Sequence, residues 1–313
     1  MATRVPMMFL AGALALGLIV SRVASGQSRH DEGDGTSQAP PGSNLQQEEG
    51  EPPPDESASA AASIAAPPAS APRVRVSLPI KDGMVRLPGG RFVMGSGDPK
   101  APPNEGPPHG ASVAAFWIDR TEVTVAAYRA CVEQSACAPP DRASPTCTFD
   151  LGDPLLPISC VRWQDADAYC HSVGKRLPRE TEWEFAARGG SRGRFPWGGN
   201  GTTCGYAVTL YNDITGRGCG HGRPARVGTH LRGASWSGVL DMSGNVEEWT
   251  SDWYAENIST GAMPRAGASH VLRGGGWLSG PSASRTTSRS WGSALEAGPN
   301  VGFRCARTAS DSP

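Results

Sequence analysis

The stretch that decides the fold covers residues 174–190 and reads GKRLPRETEWEFAARGG. It predicts a helix over Glu180–Arg188 that ends at Gly189 and Gly190, because glycine just past the last helical turn accepts the left-handed conformation found there. A second helix is predicted over residues 165–173, ending at Gly174 on the other side of this stretch.

Working outward, the sequence predicts a further helix over residues 125–132, where Thr124 can cap the first turn and Val125, Tyr128 and Val132 line one side. Residues 85–95 read as two short strands around a Pro-Gly-Gly turn, and residues 115–119 as another strand. Beyond Gly190 the sequence predicts mostly loops, with short strands near residues 271–273 and 302–304.

Composition narrows the class of protein. The 313 residues carry a formal net charge of -1 and arginines that look scattered, which argues against a nucleic-acid or membrane-surface partner. The 40 glycines, 28 prolines and 9 tryptophans favour a loop-rich domain with large aromatic anchors. The cysteine count, 8, is even, which in an exported chain indicates disulfides.

The N-terminus predicts export. Arg4, an uncharged apolar run over residues 5–20 and small residues at 23–26 form the three parts of a secretory signal, so residues 1–26 are predicted to be a signal peptide and the protein to be periplasmic or extracellular. An uncleaved membrane anchor stays an alternative. Residues 27–80, rich in Pro, Ala, Ser and Glu, are predicted to be a disordered linker, followed by one domain over 81–308 and a tail over 309–313.

Six blocks in order carry a family resemblance. They are PGGRFVMGS at 88–96, TEVT at 121–124, the stretch at 174–190, GVLDMSGNVEEWTSDW at 238–253, RGGGW at 273–277 and VGFR at 301–304. Together they resemble the formylglycine-generating enzyme (sulfatase-modifying factor) family. The resemblance implies a single loop-rich α/β (α+β) domain related to the C-type lectin-like fold, with an unusual Arg179 at a position where the family has a helix-capping threonine.

The resemblance also implies a copper site, and here the sequence departs from the family. Family oxidases convert a substrate cysteine to formylglycine and bind Cu(I) through two cysteines whose positions are occupied here by Ser279 and Ser284. A serine hydroxyl is hard and stays protonated near neutral pH, so it cannot replace a soft thiolate. Copper is therefore not expected. The residues proposed to line the remaining cleft are Trp277, Ser279, Ser282, Ser284, Arg285, Arg289, Trp291 and Asn300.

Calcium and disulfides follow from the same resemblance. It implies a structural calcium site in which Asp241 and Glu248 supply carboxylates while Gly244 and Val246 supply carbonyl oxygens. It also implies a Cys170–Cys305 disulfide. Cys204 and Cys219 flank one loop and can pair, whereas three pairings remain open for the other cysteines, which could alternatively hold zinc: Cys131, Cys137, Cys147 and Cys160.

The sequence thus favours a non-oxidising, calcium-stabilised binding or accessory domain for a protein, peptide or glycan in the cell envelope. The alternative is an oxidase acting on a sulfatase cysteine. A serine hydrolase is disfavoured because no Gly-x-Ser-x-Gly elbow or neighbouring base accompanies Ser279 or Ser284. An iron-dependent sulfoxide synthase is disfavoured because residues 27–80 cannot supply that group's extra helical domain.

Overall fold

A computed structural model describes residues 78–309 except 192, 200, 211–216, 257 and 259–264. The predicted signal peptide, nearly all of the predicted linker and the last four residues of the tail lie outside the described part. None of the helices in that part is long and apolar enough to cross a membrane.

A four-stranded sheet joins the two ends of the domain. Its strands are β1 (Ile80–Lys81), β2 (Met84–Leu87), β5 (Phe116–Asp119) and β10 (Ala306–Thr308), in the order β1-β2-β5-β10 with antiparallel neighbours. The buried apolar side chains of β2, β5 and β10 pack against the third helix, so the start and the end of the domain share one core.

A second pairing forms beside this sheet, between β3 (Gly90–Met94) and β4 (His109–Val113). The turn that leads into β3 requires glycine: Gly89 has φ +75°, and a Cβ there would lie 2.5 Å from the carbonyl oxygen of Val113. The predicted strand pair around this turn is present, but its members belong to different sheets.

The other four-stranded sheet carries the C-terminal half. It contains β6 (Glu247–Trp253), β7 (Ser269–Arg273), β8 (Arg289–Ser293) and β9 (Val301–Gly302), in the order β8-β7-β6-β9. β6 and β8 lie where the sequence predicted loops. The polar composition of β6 and its register shift between Trp249 and Trp253 break the alternation that marks a strand.

Three α-helices pack on the sheets: α1 (Val125–Glu133), α2 (Trp163–Ser172) and α3 (Glu180–Arg188). The Thr124 hydroxyl accepts a hydrogen bond from the Ala127 N–H at 3.2 Å, so it caps α1 as predicted. α3 has the predicted bounds and α2 begins two residues earlier than predicted.

The N-terminus of α3 is capped without the family's threonine. The Glu182 carboxylate accepts from the Arg179 N–H at 2.9 Å, and Oδ2 of Asp252, on β6, accepts from the Glu180 N–H at 2.5 Å. A distant carboxylate therefore satisfies a donor that the local sequence leaves open.

A histidine is enclosed between β6, β7 and α2. His270 is only 1% exposed, and its ring lies 3.8 Å from the ring centres of both Trp163 and Trp253. Backbone hydrogen bonds with Asp252 and Ser251, on β6, favour the charged form of the ring, but burial outweighs them. Burial lowers the pKa of His270 to about 4, so the ring is neutral at physiological pH.

Four disulfides use all eight cysteines. Cys170 on α2 pairs with Cys305, as the resemblance implies, and Cys204 pairs with Cys219. The pairing that the sequence left open is Cys131–Cys137 together with Cys147–Cys160. No cysteine remains free.

Candidate functional site

The centre of the candidate site is the triple-glycine turn that follows β7. Gly274 and Gly275 have φ +92° and +60°. A Cβ on Gly275 would lie 2.8 Å from the Ser284 hydroxyl, and one on Gly276 would lie 2.3 Å from Oδ1 of Asn300. The turn is glycine-rich because the backbone touches polar groups on two sides.

Ser279 lies on one side of this turn. Its Oγ accepts hydrogen bonds from the Gly276 N–H at 3.0 Å and from Nδ2 of Asn300 at 3.1 Å, while Oδ1 of Asn300 accepts from the Leu278 N–H at 2.9 Å. The Ser279 hydroxyl is partly exposed, and accepting two hydrogen bonds leaves its own proton to donate. Ser279 and Asn300 are thus brought together as one polar pair.

Ser284 lies on the other side, against Gly275. Its hydroxyl is buried and donates to the Gly280 carbonyl at 3.3 Å, while its own carbonyl accepts from the Ser243 hydroxyl at 2.7 Å. The two serines therefore flank the glycine turn, but only Ser279 is open to solvent.

The two candidate tryptophans have different environments. Trp277 is 2% exposed, and its Nε1–H donates to the Pro299 carbonyl at 2.9 Å. Trp291, on the edge strand β8, is 55% exposed and stacks on Tyr254 with ring centres 4.6 Å apart. Trp277 anchors the turn, whereas Trp291 presents an aromatic surface.

The candidate arginines form buried ion pairs. Arg285 binds the Glu105 carboxylate through two hydrogen bonds of 2.8 and 2.5 Å. Arg289 binds Glu180 in the same way, at 2.6 and 3.0 Å. The Ser282 side chain is exposed, and its carbonyl accepts from Nε of Arg285 at 2.8 Å. Because each guanidinium is paired with a buried carboxylate, these arginines stabilise the loop around the turn and leave little charge for a ligand.

A cavity of about 380 Å³ opens beside this loop. Arg285 contributes to its wall, and the opposite wall comes from residues after β3. The cavity is lined by Gly95, Ser96, Asp98, Arg194, Arg285 and Thr287, among others. The mixed charges of this lining suit a polar ligand group. The sequence did not predict the cavity, because residues 95–98 and Arg285, on opposite walls, lie more than 170 positions apart in the sequence.

Glu247 adds a titratable group next to the turn. It begins β6, and its N–H donates to the Asn300 carbonyl at 2.7 Å. Burial raises the pKa of Glu247 to about 7, although a hydrogen bond with Ser290 opposes the shift. The site therefore contains one carboxyl group that exchanges protons near neutral pH.

The predicted calcium ligands lie in a region with excess buried negative charge. Three carboxylates, those of Glu122, Asp241 and Glu248, are at most 8% exposed and share one guanidinium, Arg304. Both Glu248 oxygens accept from Arg304 at 2.7 Å, and Oδ2 of Asp241 accepts from the Gly228 N–H at 2.6 Å. Burial, followed by the charge of Asp241, raises the pKa of Glu122.

The buried carboxylates around Arg304 carry more negative charge than the guanidinium neutralises. Oε2 of Glu122 is buried without a hydrogen-bond partner in the described part of the chain, and a divalent cation would neutralise the surplus charge. No three acidic, histidine or cysteine side chains among the described residues form a ready metal cluster, so a bound ion would also depend on the Gly244 and Val246 carbonyl oxygens. The carboxylates match calcium in charge and ligand type, but both Glu248 oxygens already accept from Arg304 and Oε2 also accepts from Nε1–H of Trp183 at 2.8 Å, so an ion would have to share these oxygens with the protein donors.

Sequence reasoning missed the acidic partners of the buried arginines. Glu180 and Glu184 lie on one side of α3, four residues apart, and are fully buried. Arg273 makes hydrogen-bonded contact with Glu184, and its ion pair with Glu180 measures 3.7 Å. The available signal was the spacing of Glu180 and Glu184 around Trp183, which places charge on the buried side of a helix.

Comparisons with known proteins agree with this architecture. Residues 72–309 match the family described as sulfatase-modifying factor enzyme 1-like domain. The formylglycine-generating enzyme of Streptomyces coelicolor is 32% identical over 283 residues, which cover 72% of this chain and 90% of that protein. A mouse protein named inactive C-alpha-formylglycine-generating enzyme 2 is 30% identical, over 77% of this chain and 90% of that protein.

Among solved structures, PvdO from Pseudomonas aeruginosa superposes with a TM-score of 0.62 at 29% identity, covering 72% of this chain and 94% of that one. The mixed α/β fold with few helices is therefore the fold of the formylglycine-generating enzymes, as the sequence predicted. The chain belongs to the formylglycine-generating enzyme (sulfatase-modifying factor) family.

Proposed function

We propose that this protein is a non-oxidising member of its family, a binding or accessory domain exported to the periplasm or the extracellular space. The observation that carries the proposal is that all eight cysteines are paired in disulfides. A copper site with two thiolates would require an existing disulfide to break, and the side chains beside the glycine turn are the hydroxyls of Ser279 and Ser284.

The chemistry of these hydroxyls supports the same conclusion. Cu(I) selects soft sulfur ligands, and a serine oxygen is a hard donor that keeps its proton. Both hydroxyls also have hydrogen-bond partners within the loop itself. The relative whose name calls it inactive indicates that the family includes members without the oxidase activity.

The partly open side of the turn is the proposed binding surface. Ser279 and Asn300 offer polar groups there, and Trp291 on β8 offers an exposed ring stacked on Tyr254 beyond the turn. This combination suits a protein, peptide or glycan ligand. No nucleic acid is expected, and the membrane would be contacted only through an uncleaved N-terminal segment. Four disulfides favour an oxidising compartment.

We also propose that calcium stabilises the domain through Asp241, Gly244, Val246 and Glu248. The support is the surplus of buried carboxylates around Arg304 and the unpartnered oxygen of Glu122. Removing calcium with a chelator is expected to lower the melting temperature, and adding calcium but not sodium should restore it. An unchanged melting temperature would contradict calcium binding. The variant Asp241→Asn should weaken the response.

Cysteine restoration tests the main proposal. The wild type, the double variant Ser279→Cys/Ser284→Cys and the control Ser282→Cys would be compared for Cu(I) binding and for oxidation of a sulfatase-motif cysteine peptide. The wild type and the control, which places a thiol in the same loop outside the family positions, are expected to be inactive. Peptide oxidation by the folded wild type would overturn the proposal in favour of the oxidase alternative.

A further inference from the structure

Two small pockets border the same pair of exposed arginines, Arg223 and Arg226. The first, called here the Leu151 pocket, has a volume of about 240 Å³ and is lined by both arginines together with Leu151, Gly152, Asp153 and Pro154. The second has a volume of about 300 Å³, and His221 and Thr229 are among its other lining residues. Two concave surfaces therefore share one pair of guanidinium groups.

The backbone that carries the pair is held by hydrogen bonds. The Ala225 N–H donates to Oδ1 of Asn245 at 2.9 Å. The Val227 N–H donates to the Leu155 carbonyl at 3.0 Å, which ties the arginine segment to the segment that carries Asp153. A ligand would therefore not have to order this backbone on binding.

The two arginines carry more charge than the neighbouring carboxylate neutralises. Nε of Arg226 donates to both oxygens of Asp153, at 2.9 and 3.2 Å, and this hydrogen bonding lowers the pKa of Asp153, so the carboxylate is ionised. Nη1 of Arg223 lies 3.9 Å from Oδ2 of Asp153, which is beyond hydrogen-bond distance. In the part of the chain that the structure describes, neither arginine forms an ion pair with a second carboxylate. Two guanidiniums against one carboxylate leave one positive charge.

Apolar groups lie beside this charge in the Leu151 pocket. Leu151 is 37% exposed, and Pro154 lines the pocket with it. Ligand pockets are mostly apolar with a few polar groups that fix orientation, and those for drug-sized ligands measure about 300–1,000 Å³. This pocket, at about 240 Å³, suits a smaller group. Guanidinium groups bind oxyanions through paired, charge-assisted hydrogen bonds.

We propose that the Leu151 pocket binds a soluble ester with one singly charged oxyanion, such as a sulfate ester, whose apolar substituent contacts Leu151. The single negative charge matches the positive charge that the arginine pair leaves over. The oxyanion accepts hydrogen bonds from the Nη groups of Arg223 and Arg226. A bilayer headgroup is a poorer match, because membrane-surface recognition uses clusters of about 4–8 basic residues. The proposal does not depend on what the glycine turn binds.

Binding of phenyl sulfate to the full-length protein provides the test, because this probe joins one oxyanion to an apolar ring. Titration calorimetry at low ionic strength would compare the wild type with Arg223→Gln/Arg226→Gln and with the control Arg91→Gln/Arg307→Gln, which removes two exposed arginines elsewhere. We expect the pocket variant to bind about tenfold more weakly, because it loses charge-assisted donors, and the control to bind like the wild type. A wild type that does not bind, or a pocket variant that binds like the control, would overturn the proposal.

Two single variants separate ligand binding from a structural role of the ion pair. Asp153→Asn keeps an oxygen for the Leu155 N–H and removes the competing charge, so it should bind phenyl sulfate about threefold more tightly. Leu151→Asn should weaken binding of phenyl sulfate about threefold and leave binding of methyl sulfate, which lacks the ring, unchanged. Weaker binding by Asp153→Asn, or equal wild-type affinity for the two esters, would overturn the proposal.

Vesicles test the competing source of the same chemistry. Co-sedimentation of the wild type should be equal with phosphatidylglycerol vesicles, whose headgroup is a singly charged phosphodiester, and with phosphatidylcholine vesicles. A preference for phosphatidylglycerol that is lost in Arg223→Gln/Arg226→Gln and kept in the control would assign the arginine pair to a lipid headgroup and would overturn the proposal.

Discussion

Removing the Cys170–Cys305 disulfide should destabilise the domain more than removing any other disulfide. It joins residues separated by 135 positions, whereas Cys131–Cys137 spans 6. In the chain-entropy model the long loop contributes about 5 kcal/mol and the short loop about 2 kcal/mol to the free energy of unfolding. The perturbations to compare are Cys170→Ala/Cys305→Ala and Cys131→Ala/Cys137→Ala.

The two double variants are matched because all four cysteines are buried and each variant removes two sulfur atoms. The cost of the small cavities therefore cancels to first order. For a domain of this size the losses correspond to melting temperatures lower by roughly 10–20 °C for the long loop and 4–8 °C for the short one.

Urea denaturation followed by tryptophan fluorescence would measure both free energies, with thermal melts as a second assay. A short-loop variant that loses as much stability as the long-loop variant would refute the reasoning. Loop entropy would then not be the dominant contribution, and native-state packing around the sulfurs would have to explain the stability.

Three further predictions concern buried groups. The pKa of His270 is lowered to about 4 in the folded protein, whereas an unfolded histidine has a pKa near 6.5. The contribution of neutral His270 to the free energy of unfolding is therefore fully present above pH 6.5 and is lost as the pH falls towards 4, by about 2 kcal/mol at pH 5. In urea titrations at pH 7.5 and 5, His270→Phe should show a smaller loss of stability than the wild type. Arg304→Met should lower the free energy of unfolding by about 3–5 kcal/mol, because it leaves the buried Glu248 carboxylate without its guanidinium partner, and adding Glu248→Gln should recover part of that loss. A coupling energy near zero in the double-mutant cycle would contradict the buried pair. Gly276→Ala should cost about 1–3 kcal/mol through the close amide contact, whereas Gly280→Ala, with open space around its Cβ position, should be nearly neutral in the same melts.

The sequence predicted the helices well because their signals are local. The Thr124 cap, the glycines after α2 and α3 and the periodic apolar residues of α1 each act within one or two helical turns. It was less informative about β6 and β8. These strands depend on partners far along the chain, and their polar composition hides the alternation that would identify them.

For the candidate site as well, local sequence patterns were informative and long-range packing was not predictable. The ordered motifs predicted the family, which the family match confirms. That Ser279 and Ser284 occupy the positions of the family's cysteines stays a prediction. No local pattern indicated that Ser279 is half-exposed while Ser284 is buried, because that difference depends on how residues 280–284 fold back onto Gly275.

The sequence by itself therefore determined what depends on chemical identity and local backbone preference, namely the family, the cysteines available for disulfides and the helix ends. Only tertiary structure decided which carboxylates pair with Arg273, Arg285 and Arg289, because their partners lie 89 to 180 positions away in the sequence. Charge burial is stable only when such partners meet, and their meeting depends on the packing of the whole domain.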